Sequence, residues 1–319
     1  SYGFLSLQID ASGHHLGGNL QSSDHFEHFA SIPKANKALF TSASSPVAPL
    51  QNVPTGWRNL AAEKGRYTAL LQPTYPIVPG GTILPAGDGW ATFTLGATGV
   101  ASLTGRLPDG TTLTGTATVG VDGTWPLFVR LYSARGFLTG AVVFDPTLPT
   151  SDARCTTMRW HKPQRPADLY YPAGWPGGIL MDFVASKYIP PSLPTASNPT
   201  PLNPGTAFGN SVAVGDDLHI ELAEGALPQP TKNTATAQAA GIIQVGAAAP
   251  GQQAAPSLTA KATTSTGRLS GSFRHPVSGL LVTYEAIAHQ KTGVGSGYFR
   301  HRNAGTGALS GWIGFSEAP

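Results

Sequence analysis

The sequence predicts an all-β chain in which antiparallel hairpins and meanders form one or two β-barrel or barrel-like lobes with long Pro- and Ala-rich loops. Three observations predict it. The first is composition: only 12% of the 319 residues are charged, while Gly (39) and Pro (28) are abundant and aromatics reach 9%, a turn-rich chain with material for a core. The second is that large side chains recur singly among Ala, Thr, Gly and Ser, the pattern of half-buried strands rather than of long helices. The third is an internal repeat of strand, Gly turn and strand.

The repeat has three copies. The first is Gly3-Phe-Leu-Ser-Leu-Gln-Ile-Asp-Ala-Ser-Gly13, continuing to Leu16-Gly-Gly-Asn-Leu20. The second is Gly89-Trp-Ala-Thr-Phe-Thr-Leu-Gly-Ala-Thr-Gly99, continuing to Leu103-Thr-Gly-Arg-Leu107, and the third runs Ser257-Leu-Thr-Ala-Lys-Ala-Thr-Thr-Ser-Thr-Gly267 to Leu269-Ser-Gly-Ser-Phe273. In the second copy Trp90, Phe93 and Leu95 mix with Thr at mostly alternate positions, so one face turns inward. Gly99 supplies the positive φ of a tight hairpin, and Gly105 inside the return strand marks a bulge or sharp bend of the kind that closes a barrel.

In chain order, residues 1–64 form an N-terminal β region, a possible partial repeat that is too short for a whole barrel. They end in a loop or short helix around Trp57–Leu60. A main barrel-like domain is expected over 65–319, opening with the strand Arg66–Leu71. Thr111–Val119, a turn at Asp122-Gly123, Trp125–Tyr132 and Gly136–Phe144 continue it as a meander. Residues 189–205 hold six prolines and read as a surface connection, because proline cannot donate to a sheet ladder. The Ala-, Gln- and Gly-rich stretch 231–256 reads as a second long loop. Gly279–Ala288, Gly297–His301 and Gly307–Phe315 supply the last strands.

Taken together, Gly65–Leu71, Gly87–Phe93, Asp122–Phe128, Gly136–Gly140, Ser270–Pro276 and Gly297–Phe299 resemble the uncharacterised β-rich modules repeated in large secreted proteins of environmental bacteria. The resemblance covers roughly Gly65 to Phe315. It implies export, a β fold and attachment to a larger polypeptide, and it brings no catalytic residues. The strand–Gly–strand style is also similar to the barrel lobes of bacterial transferrin-binding surface proteins, an analogy of fold that transfers no function. Where the modules have a Gly-rich ending, this chain has Arg300-His-Arg302, so any role there is its own.

Several chemistries are excluded or narrowed by the residues. The net charge of +3 includes no run of five or six Lys/Arg, which argues against a nucleic-acid footprint. No stretch approaches the ~18 apolar residues of a membrane helix. The single cysteine, Cys155, excludes an internal disulfide framework and reads as a core thiol. No nucleophile elbow or phosphate-binding loop occurs.

Three constellations remain. His14, His15, His25, Glu27 and His28 could bring imidazoles and a carboxylate together for a transition metal, although their spacing is not that of a helical metalloprotease motif. An exposed polar hairpin is the plainer reading. Asp217, His219 and Glu221 alternate onto one strand face, where carboxylates could serve a glycosidase if they faced each other across a cleft; an ordinary amphipathic strand has the same pattern. Trp160, Tyr170, Tyr171 and Trp175 cluster in a Pro/Gly-rich region, where exposed rings could stack on sugars or, alternatively, cover a barrel end.

The reading that follows is a non-catalytic module, secreted or at the cell surface. Its expected partners are other surface proteins or copies of itself, with no cofactor, nucleic acid or membrane span. A carbohydrate-binding or carbohydrate-active protein that contacts polysaccharide, and a metal-dependent enzyme centred on the histidines, stand as alternatives.

Overall fold

The computed structural model describes residues 3–9, 15–22, 30–31, 34–36, 65–74, 84–191, 205–206, 209–213, 217–238, 241–303 and 307–318. Apart from a 3-10 turn at Gly241, all regular structure among them is β. A small sheet at the start pairs β1 (Gly3–Ile9) with β2 (His15–Ser22), and β2 with β3 (Ala30–Ser31) and β4 (Lys34–Asn36). The first copy of the repeat is thus a hairpin, with Leu5 opposite Leu20.

The first lobe is an eight-stranded antiparallel meander: β5 (Arg66–Thr74), β6 (Gly89–Leu95), β7 (Val100–Arg106), β8 (Thr112–Thr118), β9 (Thr124–Leu131), β10 (Gly136–Phe144), β11 (Ala153–Lys162) and β12 (Trp175–Lys187). Its first and last strands pair, so the hydrogen-bonded order runs β8-β7-β6-β5-β12-β11-β10-β9. The seam therefore falls in the middle of the meander, between the consecutive strands β8 and β9. One backbone turn bond and side chains, rather than a backbone ladder, nearly close it. Gly120 N donates to Thr124 O at one end (2.8 Å), and Tyr132 Oη donates to Asp109 Oδ2 at the other (2.7 Å). Between them Val129 packs over Gly115, where a Cβ would lie 3.0 Å from Val129 Cγ2.

After the two short strands β13 (Gly205–Thr206) and β14 (Gly209–Ala213) comes the second lobe. It contains β15 (Asp217–Glu224), β16 (Thr231–Ala237), β17 (Ile242–Ala248), β18 (Thr259–Thr263), β19 (Arg268–Arg274), β20 (Leu281–His289), β21 (Val294–Asn303) and β22 (Gly307–Glu317). Here β22 pairs with β15 and the barrel is closed. Eight strands leave an interior that side chains fill, and Leu218, Ile220, Leu222, Phe273, Tyr284, Phe299 and Phe315 fill it.

The second and third copies of the repeat are hairpins, β6–β7 and β18–β19, with Gly99 and Gly267 at positive φ (76° and 72°). They occupy different places in their lobes, strands two and three of the first and four and five of the second. Gly105 makes no bulge, since the β6–β7 register runs unbroken past it. The Ala-rich stretch 231–256 is corrected: it contains β16 and β17. In β16, Thr231, Asn233, Ala235 and Ala237 point inward and are buried. Their small volume suits a barrel whose opposite wall carries large aromatics, and that same smallness makes the segment look like linker. Of the Pro-rich connection 189–205, residues 192–204 lie outside the described residues.

The two lobes are fastened to each other. Leu70 and Trp90 on the outside of β5 and β6 meet Ile287 and Tyr298 of β20 and β21 in a buried cluster, which is why β5 is buried on both faces through its first half. Polar ties surround the cluster. Trp90 Nε1 donates to Glu285 Oε2 (3.2 Å), Asp88 N donates to Gly297 O (3.0 Å), and Ser296 Oγ donates to Asp88 Oδ2. Ile189 and the side-chain amide of Gln290 exchange two hydrogen bonds of 2.8 Å. Lys291 Nζ reaches across to Pro146 O (3.0 Å), Ser151 O (2.9 Å) and Asp152 Oδ1 (2.9 Å).

Candidate functional site

The β11–β12 loop carries the aromatic cluster to one end of the first lobe, over the open end of the β8–β9 seam. Trp160, Tyr171 and Trp175 are buried there, so they provide no exposed platform. Trp160 and Trp175 meet edge to face at 4.5 Å, and Tyr171 meets Trp175 at 5.7 Å. Trp160 Nε1 donates to Tyr132 Oη (3.0 Å). The Tyr171 hydroxyl is 2.7 Å from Ser310 Oγ and accepts from Ser310 N (2.8 Å), which ties the loop to the second lobe. These three rings cover the barrel end, and Tyr170 alone of the four retains substantial exposure.

Above them lies an open cleft of about 410 Å3 lined by Asp109, Thr111, Tyr132, Lys162, Arg165, Asp168 and Tyr170, among others. Its floor is a buried ion pair. Lys162, 2% exposed, places Nζ 3.0 Å from Asp109 Oδ2, 3.3 Å from Asp168 Oδ2 and 2.8 Å from Tyr170 O. Its ammonium also lies 5.2 Å from the Tyr132 ring centroid. Three donors meet three acceptors, so the buried charge is fully satisfied. Arg165 pairs with Asp168 at 3.0 Å, and Arg300 of the second lobe lies over the Tyr170 ring at 4.9 Å. Burial, then the neighbouring Asp109 charge, push the Tyr132 hydroxyl far above its ordinary range, so it acts only as a neutral donor and acceptor. This arrangement can present polar groups to a ligand, but it holds no free nucleophile or base at its floor.

Asp217, His219 and Glu221 do share the outer face of β15, while Leu218, Ile220 and Leu222 enter the core. Asp217 Oδ1 accepts from Thr236 Oγ1 (3.3 Å) and Glu221 pairs with Lys232 (3.7 Å). They stand on a barrel wall rather than around the cleft. The side chains of His14, His15, His25, Glu27 and His28 lie outside the described residues; His15 is placed only by its backbone, opposite Asn36. Among the described residues, no three His, Cys, Asp or Glu side chains gather as a metal site. Cys155 is a free, buried thiol on β11.

Two groups were missed by the sequence reading. One is the cleft's Asp109–Lys162 pair, whose partners are 53 residues apart and which no local spacing could signal. The other is a stack of two buried imidazoles in the second lobe, His275 and His301, with centroids 3.8 Å apart and planes 5° from parallel. Burial holds both below the usual histidine range. His275 Nε2 lies 3.2 Å from Gly225 O, and His301 Nε2 is buried without a partner.

No protein-family model matches the chain, and no curated protein matches it. Among solved structures it is weakly similar to the vaccine antigen transferrin-binding protein B of Haemophilus parasuis Hp5. Against a tryptophan-to-alanine mutant of that protein the identity is 7%, with 99% of this chain and 86% of that chain covered and a TM-score of 0.27. Against a double mutant the identity is again 7%, the shares are 98% and 65%, and the TM-score is 0.25.

Proposed function

We propose that this chain is a non-catalytic interaction module, secreted or displayed at the cell surface, and that the loop-ringed cleft of the first lobe is a contact surface. The observation that carries this reading is the state of Lys162. The side chain most able to do chemistry in the cleft is buried and already held by two carboxylates and a carbonyl, so it organises the loop instead of reacting. A rigid scaffold with loops at one end suits contact with another surface protein, a second copy or a polysaccharide. The half-exposed Tyr170 ring beside Arg165 and Asp168 favours a polar, hydroxyl-bearing ligand, which keeps carbohydrate binding as the second reading.

The test is a panel of immobilised neutral polysaccharides and of the immobilised chain itself, assayed in the same tubes for retained protein and for soluble products. Retention without products is expected. Tyr170→Ala should weaken it by about tenfold with the thermal melt nearly unchanged. Soluble products would overturn the non-catalytic reading, and retention unaffected by Tyr170→Ala would remove the cleft from it.

A further inference from the structure

On the outer wall of the first lobe, strands β9, β10 and β11 build a small lattice. Register places Arg130, Phe137 and His161 side by side in one row, and Phe128, Thr139 and Arg159 in the next. The three rings stack across the strands. Phe128 and Phe137 have centroids 5.9 Å apart with planes 24° from parallel, and Phe137 and His161 are 5.0 Å apart at 5°. Phe128 is nevertheless 59% exposed. Because Phe137 has a ring against each face, the stack turns ring edges outward, and the edge is the positive rim of an aromatic quadrupole.

The charges agree with the rings. Arg130 and Arg159 are exposed, lie at opposite corners about 12 Å apart along the sheet, and form no ion pair among the described residues. None of the six residues is acidic. The charge that acts on Asp182, on the neighbouring strand β12, is that of Arg154. A cross-strand aromatic pair is an ordinary stabiliser of a sheet, but it needs no unpaired arginine at each end.

We propose that this face binds an acidic polysaccharide, with Arg130 and Arg159 each taking a carboxylate or sulfate and the exposed Phe128 ring packing against a sugar between them. Three features select this occupant. An electropositive surface without a carboxylate complements a polyanion. Phe128 is a single exposed ring, whereas single-stranded nucleic acid stacks successive bases on several aromatic platforms. The one edge strand of the lattice, β9, lies against β8 across a seam that side chains fill, which leaves no room for an added peptide strand.

The experiment measures retention of the full chain on polygalacturonate, on dextran sulfate and on neutral dextran, with poly-glutamate and oligothymidylate as competitors. Salt-sensitive retention on one or both acidic polysaccharides is expected, and which polymer retains the chain distinguishes carboxylate from sulfate. The double variant Arg130→Gln/Arg159→Gln should bind at least about tenfold more weakly, as should Phe128→Ala, with unchanged melts. Tyr170→Ala should leave this retention intact, which separates the face from the cleft. The proposal is overturned by equal retention on neutral dextran, by no retention on either acidic polymer, by unchanged binding of the arginine variant, or by displacement with poly-glutamate or oligothymidylate at equal charge.

Discussion

His289 closes β20 at the boundary between the lobes. It is 1% exposed, with Nδ1 2.8 Å from Thr292 Oγ1 and Nε2 buried without a partner. Burial first, against the opposing pull of Asp152, pushes its pKa down from 6.5 to about 4. The folded chain therefore resists a proton that the unfolded chain accepts below pH 6.5. Stability from this residue is complete above about pH 6.5, falls as the pH drops towards 4, and changes no further below that. Unfolding midpoints measured from pH 7 to pH 4 should decline, and His289→Gln should flatten the decline whatever it does to stability at pH 7. An equally steep decline in that variant would remove His289 as its source. Nothing in the sequence around His289 signals such an environment, because its burial is produced by the other lobe. The same holds for Tyr171 and Trp175: their clustering was legible in the sequence, while their use as a cover rather than a platform depends on Tyr132 and Ser310.

At the scale of the strand, glycine decides how the sheets coil. A Cβ at Gly271 would lie 1.9 Å from Thr259 O and 2.5 Å from the Tyr284 hydroxyl. Tyr284 stands directly opposite Gly271 and lays its ring across that position to donate to Thr259 O (2.7 Å). The same device recurs where Phe299 covers Gly311, and Gly105 admits the carbonyl of Trp90 just as closely. Gly271→Ala should cost about 3 kcal/mol in urea unfolding. Gly177→Ala, whose Cβ would meet nothing within 4 Å and whose φ is not positive, should shift stability by less than about 1 kcal/mol; similar losses in the two would show that crowding at Gly271 is not the cause. The strand–Gly–strand pattern made these hairpins readable from sequence, because alternation and turn glycines are local. The inward alanines of β16 were misread for the converse reason. A small residue is a good core residue only when a large one faces it, and Phe273, Tyr284 and Phe299 come from elsewhere in the chain.

For the whole molecule, the question is whether the two lobes unfold as one. Their contact combines the buried Leu70, Trp90, Ile287 and Tyr298 with ties at several separate points, so each lobe covers apolar surface on the other and the native chain should melt in a single transition. Lys291 holds one corner, donating to two carbonyls and to Asp152, whose carboxylate also accepts from Lys187 N (2.8 Å). Lys291→Met removes that donor, leaving the buried Asp152 carboxylate with only its bond from Lys187 N and taking a donor from two carbonyls, a loss of about 2–3 kcal/mol from the interface. The lobes can then be followed apart. Trp125, Trp160 and Trp175 are buried in the first lobe and Trp312 lies on β22 of the second, so in a Trp312→Phe background the fluorescence is weighted to the first lobe, whereas far-ultraviolet circular dichroism reports both. In Lys291→Met the fluorescence and dichroism midpoints should separate, and in the native chain they should coincide. Coincident midpoints in the variant would mean that the apolar cluster and the remaining polar ties suffice to couple the lobes. A rigid pair matters for the proposed contacts, because Arg300 of the second lobe lies over Tyr170 in the cleft of the first; loosening the interface should weaken retention through the cleft while leaving the Arg130–Arg159 face, built within one lobe, unchanged.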